Sequence, residues 1–140
     1  MSRSTALAEA VKNILNDNTY SLEFTAVRGY RLNYKHKELS ALHVTVLATT
    51  VVQTSISRVG NTDDISVDIV VQKQAKPDDN TTCDALSDLV EEIAESFRGT
   101  RYKKWPWLQT EISVPYDAEE LSNSNVFAAL ITLHYQIAWK

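Results

Sequence analysis

Residues 42–71 read LHVTVLATTVVQTSISRVGNTDDISVDIVV, and this stretch predicts a long two-stranded β-ribbon. Every second residue from Leu42 to Ile56 is apolar or β-branched, which is the period of a strand with one buried face. Gly60 and Asn61 form a dipeptide typical of hairpin turns, so we expect the chain to reverse there. Folding at this point predicts four cross-strand pairs: Ile56 with Ile65, Thr54 with Val67, Val52 with Ile69, and Arg58 with Asp63.

The ribbon is long for the size of the chain. About fourteen residues at roughly 3.3 Å each extend about 46 Å. A globule of 140 residues has a diameter of about 37 Å, taken from its expected radius of gyration. We therefore expect the hairpin to protrude, with its apolar stripe covered by another copy of the chain. The residues expected at this subunit interface are Val52, Thr54, Ile56, Arg58 and Ile65.

The rest of the chain supplies two helices and three further extended segments. Helical spacing predicts one helix over residues 5–16 and a second that contains Leu86, Leu89 and Ile93 and ends at Gly99. Residues 20–34, 109–116 and 126–139 read as extended, and residues 100–108 as a connector. These elements predict an α+β fold with the order α-β-β-β-α-β-β: an antiparallel sheet flanked by helices on one side, with a long protruding hairpin. The length fits a single domain over residues 1–140.

Composition limits the classes of protein to consider. The formal charge is −4, and 44% of residues are hydrophobic, as in an ordinary globular domain. No apolar run approaches the length of a membrane span and no signal segment precedes the first helix, so we expect cytoplasmic synthesis and no membrane contact. A lone cysteine excludes an internal disulfide framework.

No constellation of residues predicts catalysis. The glycines and histidines are dispersed along the sequence: Gly29, Gly60, Gly99, His36, His43 and His134. They therefore form neither a phosphate-binding loop nor a metal site with ligand spacing. Cys83 lies near a helix N-terminus but has no identifiable base, which favours a packing role. We predict no catalytic residues, no cofactor and no metal.

Charged and aromatic residues give three weaker hypotheses. Cations interleaved with tyrosines are a possible nucleic-acid contact, formed by Arg28, Arg31, Lys35 and Lys37; the alternative is that the tyrosines pack on the sheet and the cations are solvated. Trp105 and Trp107 flank a proline and either anchor a subunit interface or fold back over the edge of the core. The second helix has an acidic face, expected in solvent, which would repel DNA phosphates if it lined a channel: Asp84, Asp88, Glu91, Glu92 and Glu95.

Four strings, together with the order of elements along the chain, resemble small neck and tail-terminator (tail completion) proteins of tailed bacteriophages. They are FTAVRGY (24–30), LHVTV (42–46), DIVVQK (68–73) and LVEEIA (89–94). The resemblance implies a virion protein, assembled in the bacterial cytoplasm, that forms a homo-oligomeric ring, usually a hexamer. Such a ring terminates the tail tube and joins it to the head connector, with DNA only as passing cargo.

Other roles remain open at this point. A head-completion or adaptor protein of the same neck region would share this layout. A small nucleic-acid-binding accessory protein would use the basic segment, and an enzyme would need a pocket of titratable groups that the sequence does not indicate.

Overall fold

A computed structural model describes residues 2–30, 40–55, 60–76, 78–102, 105–113 and 125–139. The elements in chain order are α1 (Arg3–Asp17), β1 (Ala26–Gly29), β2 (His43–Ser55), β3 (Asn61–Gln74), α2 (Asn80–Phe97), β4 (Arg101–Tyr102), β5 (Trp105–Ser113) and β6 (Val126–Trp139). The strands form one sheet in the spatial order β1-β2-β3-β6-β5-β4. The α+β class is confirmed, with β4 as one short strand beyond the predicted order.

Both helices pack on the same face of the sheet and enclose the core. Leu7, Val11 and Leu15 of α1 are buried there, as the helical spacing predicts. Five apolar residues of α2 are buried against the same sheet face: Leu86, Leu89, Val90, Ile93 and Phe97. Gly99 has a φ of 72°, which places the expected left-handed residue just beyond α2. We call the sheet face under the helices the helix face and the opposite one the open face.

The sheet is antiparallel except at one edge. β1 pairs in parallel with β2, with Ala26 opposite Val44, which corrects the prediction of a wholly antiparallel sheet. Within the described part of residues 20–34, only residues 26–29 form a strand. The chain between residues 29 and 43 is long enough for the crossover of about a dozen residues that parallel pairing requires.

The predicted register of the hairpin is wrong. Ile65 lies opposite Val51, Val52 opposite Asp64, and Thr54 opposite Thr62. β2 ends at residue 55 and β3 begins at residue 61, so five residues connect them where the prediction had a tight turn. A bulge between residues 48 and 50 also shifts the alternation by one residue, which moves Val51 rather than Val52 to the helix face. Ile56 and Arg58 lie outside the described residues.

The hairpin also differs from the expected two-stranded arm, because β6 lies beside β3 throughout. The pairing runs from Asn61 opposite Trp139 to Gln74 opposite Val126. A protruding hairpin would have to extend beyond its neighbouring strands, whereas β6 is as long as β3. As a result Ile65 is only 1% exposed within its own subunit, and its burial removes it from the expected interface.

Candidate functional site: two open edges of the sheet

The outer edge of β2 is covered over only part of its length. β1 pairs with residues 44–47, and from residue 48 onward this edge has no strand partner among the described residues. Val51 and Val52 are 46% and 47% exposed on opposite faces of the strand. Residues 48–54 (ATTVVQT) contain no charged residue and no proline, which are the usual protections of an exposed edge. This edge, residues 48–54, is called the β2 edge below.

A second open edge lies on the other side of the sheet. β4 pairs only with Trp105 and Pro106, which leaves residues 107–113 of β5 without an outer strand in the ranges described. At the first of these residues, the backbone N–H of Trp107 donates to Thr100 O at 2.9 Å. Leu108 and Ile112 are 49% and 44% exposed along this segment. We call residues 107–113 (WLQTEIS) the β5 edge; Glu111 is its single charged residue. β5 begins earlier than the predicted 109–116, because an edge strand accommodates the proline at 106.

The two edges run in opposite directions. β2 and β6 are both antiparallel to β3, and β5 is antiparallel to β6, so β5 is antiparallel to β2. A second copy placed beside the first in the same orientation would bring its β5 edge alongside the β2 edge of the first. The strands would then continue the same antiparallel ladder from copy to copy.

A groove flanks each open edge. Between α2 and the β5 edge lies a groove of about 500 Å³ whose lining includes Ala94, Arg98, Trp107 and Ile112. Beside the β2 edge lies one of about 460 Å³, lined by Arg3, Gln53, Thr54, Ser55, Asn61 and Asp63. Arg3 and Asp63 form an ion pair at 2.6 Å in this second groove, which fixes the start of α1 on the sheet. Both grooves are open and can accept side chains from a neighbouring strand.

The predicted interface residues fall at different places. Val52 and Thr54 are exposed on the β2 edge. Trp107 is half-buried against the core, and its indole Nε1 donates to Thr110 Oγ1 at 2.8 Å. Trp107 therefore folds back over the edge of its own core, while residues 108–113 of its strand have no outer strand in the described ranges. Trp105 opens β5, and its side chain lies outside the described residues.

The predicted nucleic-acid contact is represented by Arg28 alone, since Arg31, Lys35 and Lys37 fall outside the described residues. Arg28 Nε donates to Glu9 Oε2 at 2.8 Å, and its guanidinium lies 5.8 Å from the ring centre of Tyr30. The hydrogen bond to Glu9, followed by contact with Tyr30, raises the pKa of Arg28. Hydrogen bonds from Lys12 and then Arg28 lower the pKa of Glu9. Arg28 is thus engaged within the subunit by α1.

The sequence reasoning missed a row of polar side chains across the open face. Thr132 Oγ1 donates to Asp68 Oδ1 at 2.8 Å, and Gln136 Nε2 donates to Asp64 Oδ1 at 2.6 Å. Between these pairs, Ser66 Oγ and His134 Nδ1 are 3.0 Å apart, and His134 Nε2 is 3.9 Å from Glu111 Oε1 of β5. In the sequence, these polar residues alternate with the core residues of β3 and β6, and that alternation is the signal that could have predicted the row. Three hydrogen bonds of this row join β3 to β6, whereas His134 Nε2 approaches Glu111 of β5 without forming a hydrogen bond.

Other groups weighed in the sequence show no activated chemistry. Desolvation, followed by the charges of Asp79 and Asp84, raises the pKa of the Cys83 thiol, which keeps it protonated. Within the described ranges, no group of three His, Cys, Asp or Glu side chains is arranged to hold a metal ion. On α2, four predicted solvent-facing carboxylates are exposed (Asp84, Asp88, Glu91 and Glu95), whereas Glu92 accepts hydrogen bonds from Ser21.

Comparison with protein-family models finds no matching family, and a search of curated proteins finds no significant relative. None of the helices in the described part of the chain is both long and apolar enough to cross a membrane.

Proposed function

We propose that the chain is a structural subunit of the head–tail junction of a tailed bacteriophage. Copies form a closed homo-oligomeric ring, a hexamer, that terminates the tail tube and joins it to the head connector. The observation that carries the proposal is the pair of open sheet edges, uncharged on β2 and nearly so on β5, which run in opposite directions. A head-to-tail ring covers both edges in every copy, whereas an isolated subunit leaves both in water.

In this proposal the protein acts by assembling into a closed ring, and it catalyses no reaction. It buries exposed apolar side chains such as Val51 and Leu108, which stabilises the oligomer. One face of the ring then covers the end of the tail tube, and the opposite face binds the head connector. DNA passes through the ring as cargo.

A head-completion or adaptor role uses the same ring and differs only in the partner that it caps. A nucleic-acid-binding role is favoured less, because Arg28 is bonded to Glu9 and stacked near Tyr30. Electrophoretic shifts at two salt concentrations test it directly, since phosphate binding strengthens steeply as salt is lowered. No shift at low salt is the expected result.

Inactivation of the gene in the phage that carries it tests the proposed function. We expect filled heads and separate tails, and restoration of joined particles when the wild-type chain is supplied from a plasmid. Immunolabelling of tails from a head-defective infection then separates the two neck roles, because a terminator labels tail ends and an adaptor labels heads. Normal virions from the inactivated phage would refute a role at this junction.

A further inference from the structure

We propose that the β2 edge of one copy pairs antiparallel with the β5 edge of the next copy, so that the ring is one continuous sheet. This inference rests on the proposed ring and names the surfaces that close it. Both edges lack an outer strand in the described parts of the chain. The backbone N–H of Trp107 donates to Thr100 O at 2.9 Å, so the stretch of β5 that a neighbour can cover is residues 108–113. The β2 edge carries no charge, so Glu111 on the β5 edge meets no like charge across the pairing.

β1 determines where the neighbouring strand can begin. It occupies the outer edge of β2 as far as Leu47, so an incoming strand starts at residue 48. Covering residues 48–53 with residues 113–108 sets Val51 opposite Thr110 and Val52 opposite Gln109. Between the two bulges the faces agree: Val51 and Thr110 both lie on the helix face, and Val52 and Gln109 both lie on the open face. Before the β2 bulge they do not, since Ala48 lies on the helix face and Ser113 on the open face. A shift by one residue would place helix-face positions opposite open-face positions.

The same register produces the stagger that a closed sheet needs. Within one subunit Thr110 is level with Ala48, through Leu133 and Val67. At the interface Thr110 lies opposite Val51, which is three residues further along β2. Because of the bulge, these three residues span only two residues of β3, from Val67 to Ile65, so each copy is displaced by about 7 Å along the strand direction. Closing a sheet into a barrel requires such a stagger between strands, and β1 supplies it by blocking the unstaggered position.

The groove between α2 and β5 receives the incoming strand. Val51 of the neighbour projects on the helix face, where this groove of about 500 Å³ offers apolar contacts from Ala94, Trp107 and Ile112 among charged and polar lining residues of α2 and β5. Val51 is 46% exposed in the isolated subunit, so its transfer into the groove removes apolar surface from water. The opposite groove, beside the β2 edge, accepts the helix-face side chains of the neighbour's β5.

Engineered disulfides test this pairing. In a Cys83→Ser background, Val51→Cys and Thr110→Cys are prepared as single variants, and Val52→Cys and Gln109→Cys as a second pair on the open face. Residues 51 and 110 lie three strands apart in one subunit, roughly 14 Å, which exceeds the reach of an intramolecular disulfide. The control replaces the β2 cysteine with Val27→Cys, a 51% exposed position on β1. Thermal unfolding of each variant confirms its fold before oxidation.

An equimolar mixture of the two members of a pair should give a covalent dimer, and each member alone should give none. The double variant should give a ladder that ends at the copy number of the ring. Dimers of Val51→Cys alone would indicate a two-fold β2–β2 contact and would overturn the inference. Absence of cross-links from both pairs, while native mass spectrometry still finds a closed ring, would refute this edge pairing and leave the ring intact. Cross-linking together with normal virions after gene inactivation would instead refute the proposed function.

Discussion

Replacing Ile65 with alanine should strongly destabilise the isolated subunit. Ile65 is 1% exposed and lies between Val51 and Tyr135 on the helix face. The substitution removes three carbon atoms at about 0.8 kcal/mol each, a transfer loss of about 2.4 kcal/mol. The cavity left behind raises the expected cost to about 3–4 kcal/mol. For a domain of this size that loss lowers the melting temperature by roughly 10 °C.

The matched control is Val51→Ala, at the position directly opposite Ile65 on β2. Val51 is 46% exposed, so truncation of its side chain should cost less than about 1 kcal/mol. Urea unfolding followed by circular dichroism, at a protein concentration low enough to keep the subunit monomeric, measures both values. Equal losses for the two variants would show that Ile65 faces solvent and would refute the placement of β3 between β2 and β6.

Three further variants test the N-cap of α2, where the Asp79 carboxylate accepts from the backbone N–H of Thr82 at 3.1 Å, the open-face row, and assembly. The hydroxyl and the backbone N–H of Thr82 lower the pKa of Asp79, so this carboxylate stabilises the fold above its unfolded pKa and loses that contribution as pH falls through the lowered value. The urea midpoint of Asp79→Asn should therefore lie below that of the wild type at neutral pH and converge with it in acid. Thr132→Val removes the hydrogen bond to Asp68 and should cost about 1 kcal/mol in the same assay. Val52→Lys places a charge on the β2 edge; it should leave the urea midpoint unchanged and raise the concentration needed for half-assembly, measured by analytical ultracentrifugation, by about tenfold or more.

The elements with strong periodicity were predictable from the sequence, and their pairing was not. The spacing of apolar residues in α2 and the alternation in β6 depend on each segment alone, and both elements appear where expected. The register of β2 depends on the bulge before residue 50. In the run TTVVQTS (49–55), β-branched residues stand at both odd and even positions, so either set could face the core. Alternation therefore gave no sign of the shift in phase.

The candidate edges were also beyond the reach of sequence periodicity. A strand is an edge only if no other strand takes the place beside it, and that depends on contacts distant in sequence. Here β6 pairs with β3, so β2 and β5 lie towards the two sides of the sheet and carry the open edges. The parallel pairing of β1 ends at Leu47 and limits the β2 edge for the same reason. The expectation that the apolar ribbon associates with another copy stays a prediction: Val52 and Thr54 lie on the β2 edge, whereas Ile65 is buried in its own subunit.

A cryo-electron microscopy reconstruction of the assembled oligomer, alone or on tail ends, tests the central claim most directly. The backbone of residues 48–53 in one copy should lie roughly 4.8 Å from that of residues 108–113 in the next, with the two strands antiparallel. An assembled particle in which both edges face solvent, or in which β2 meets β2, would contradict the account.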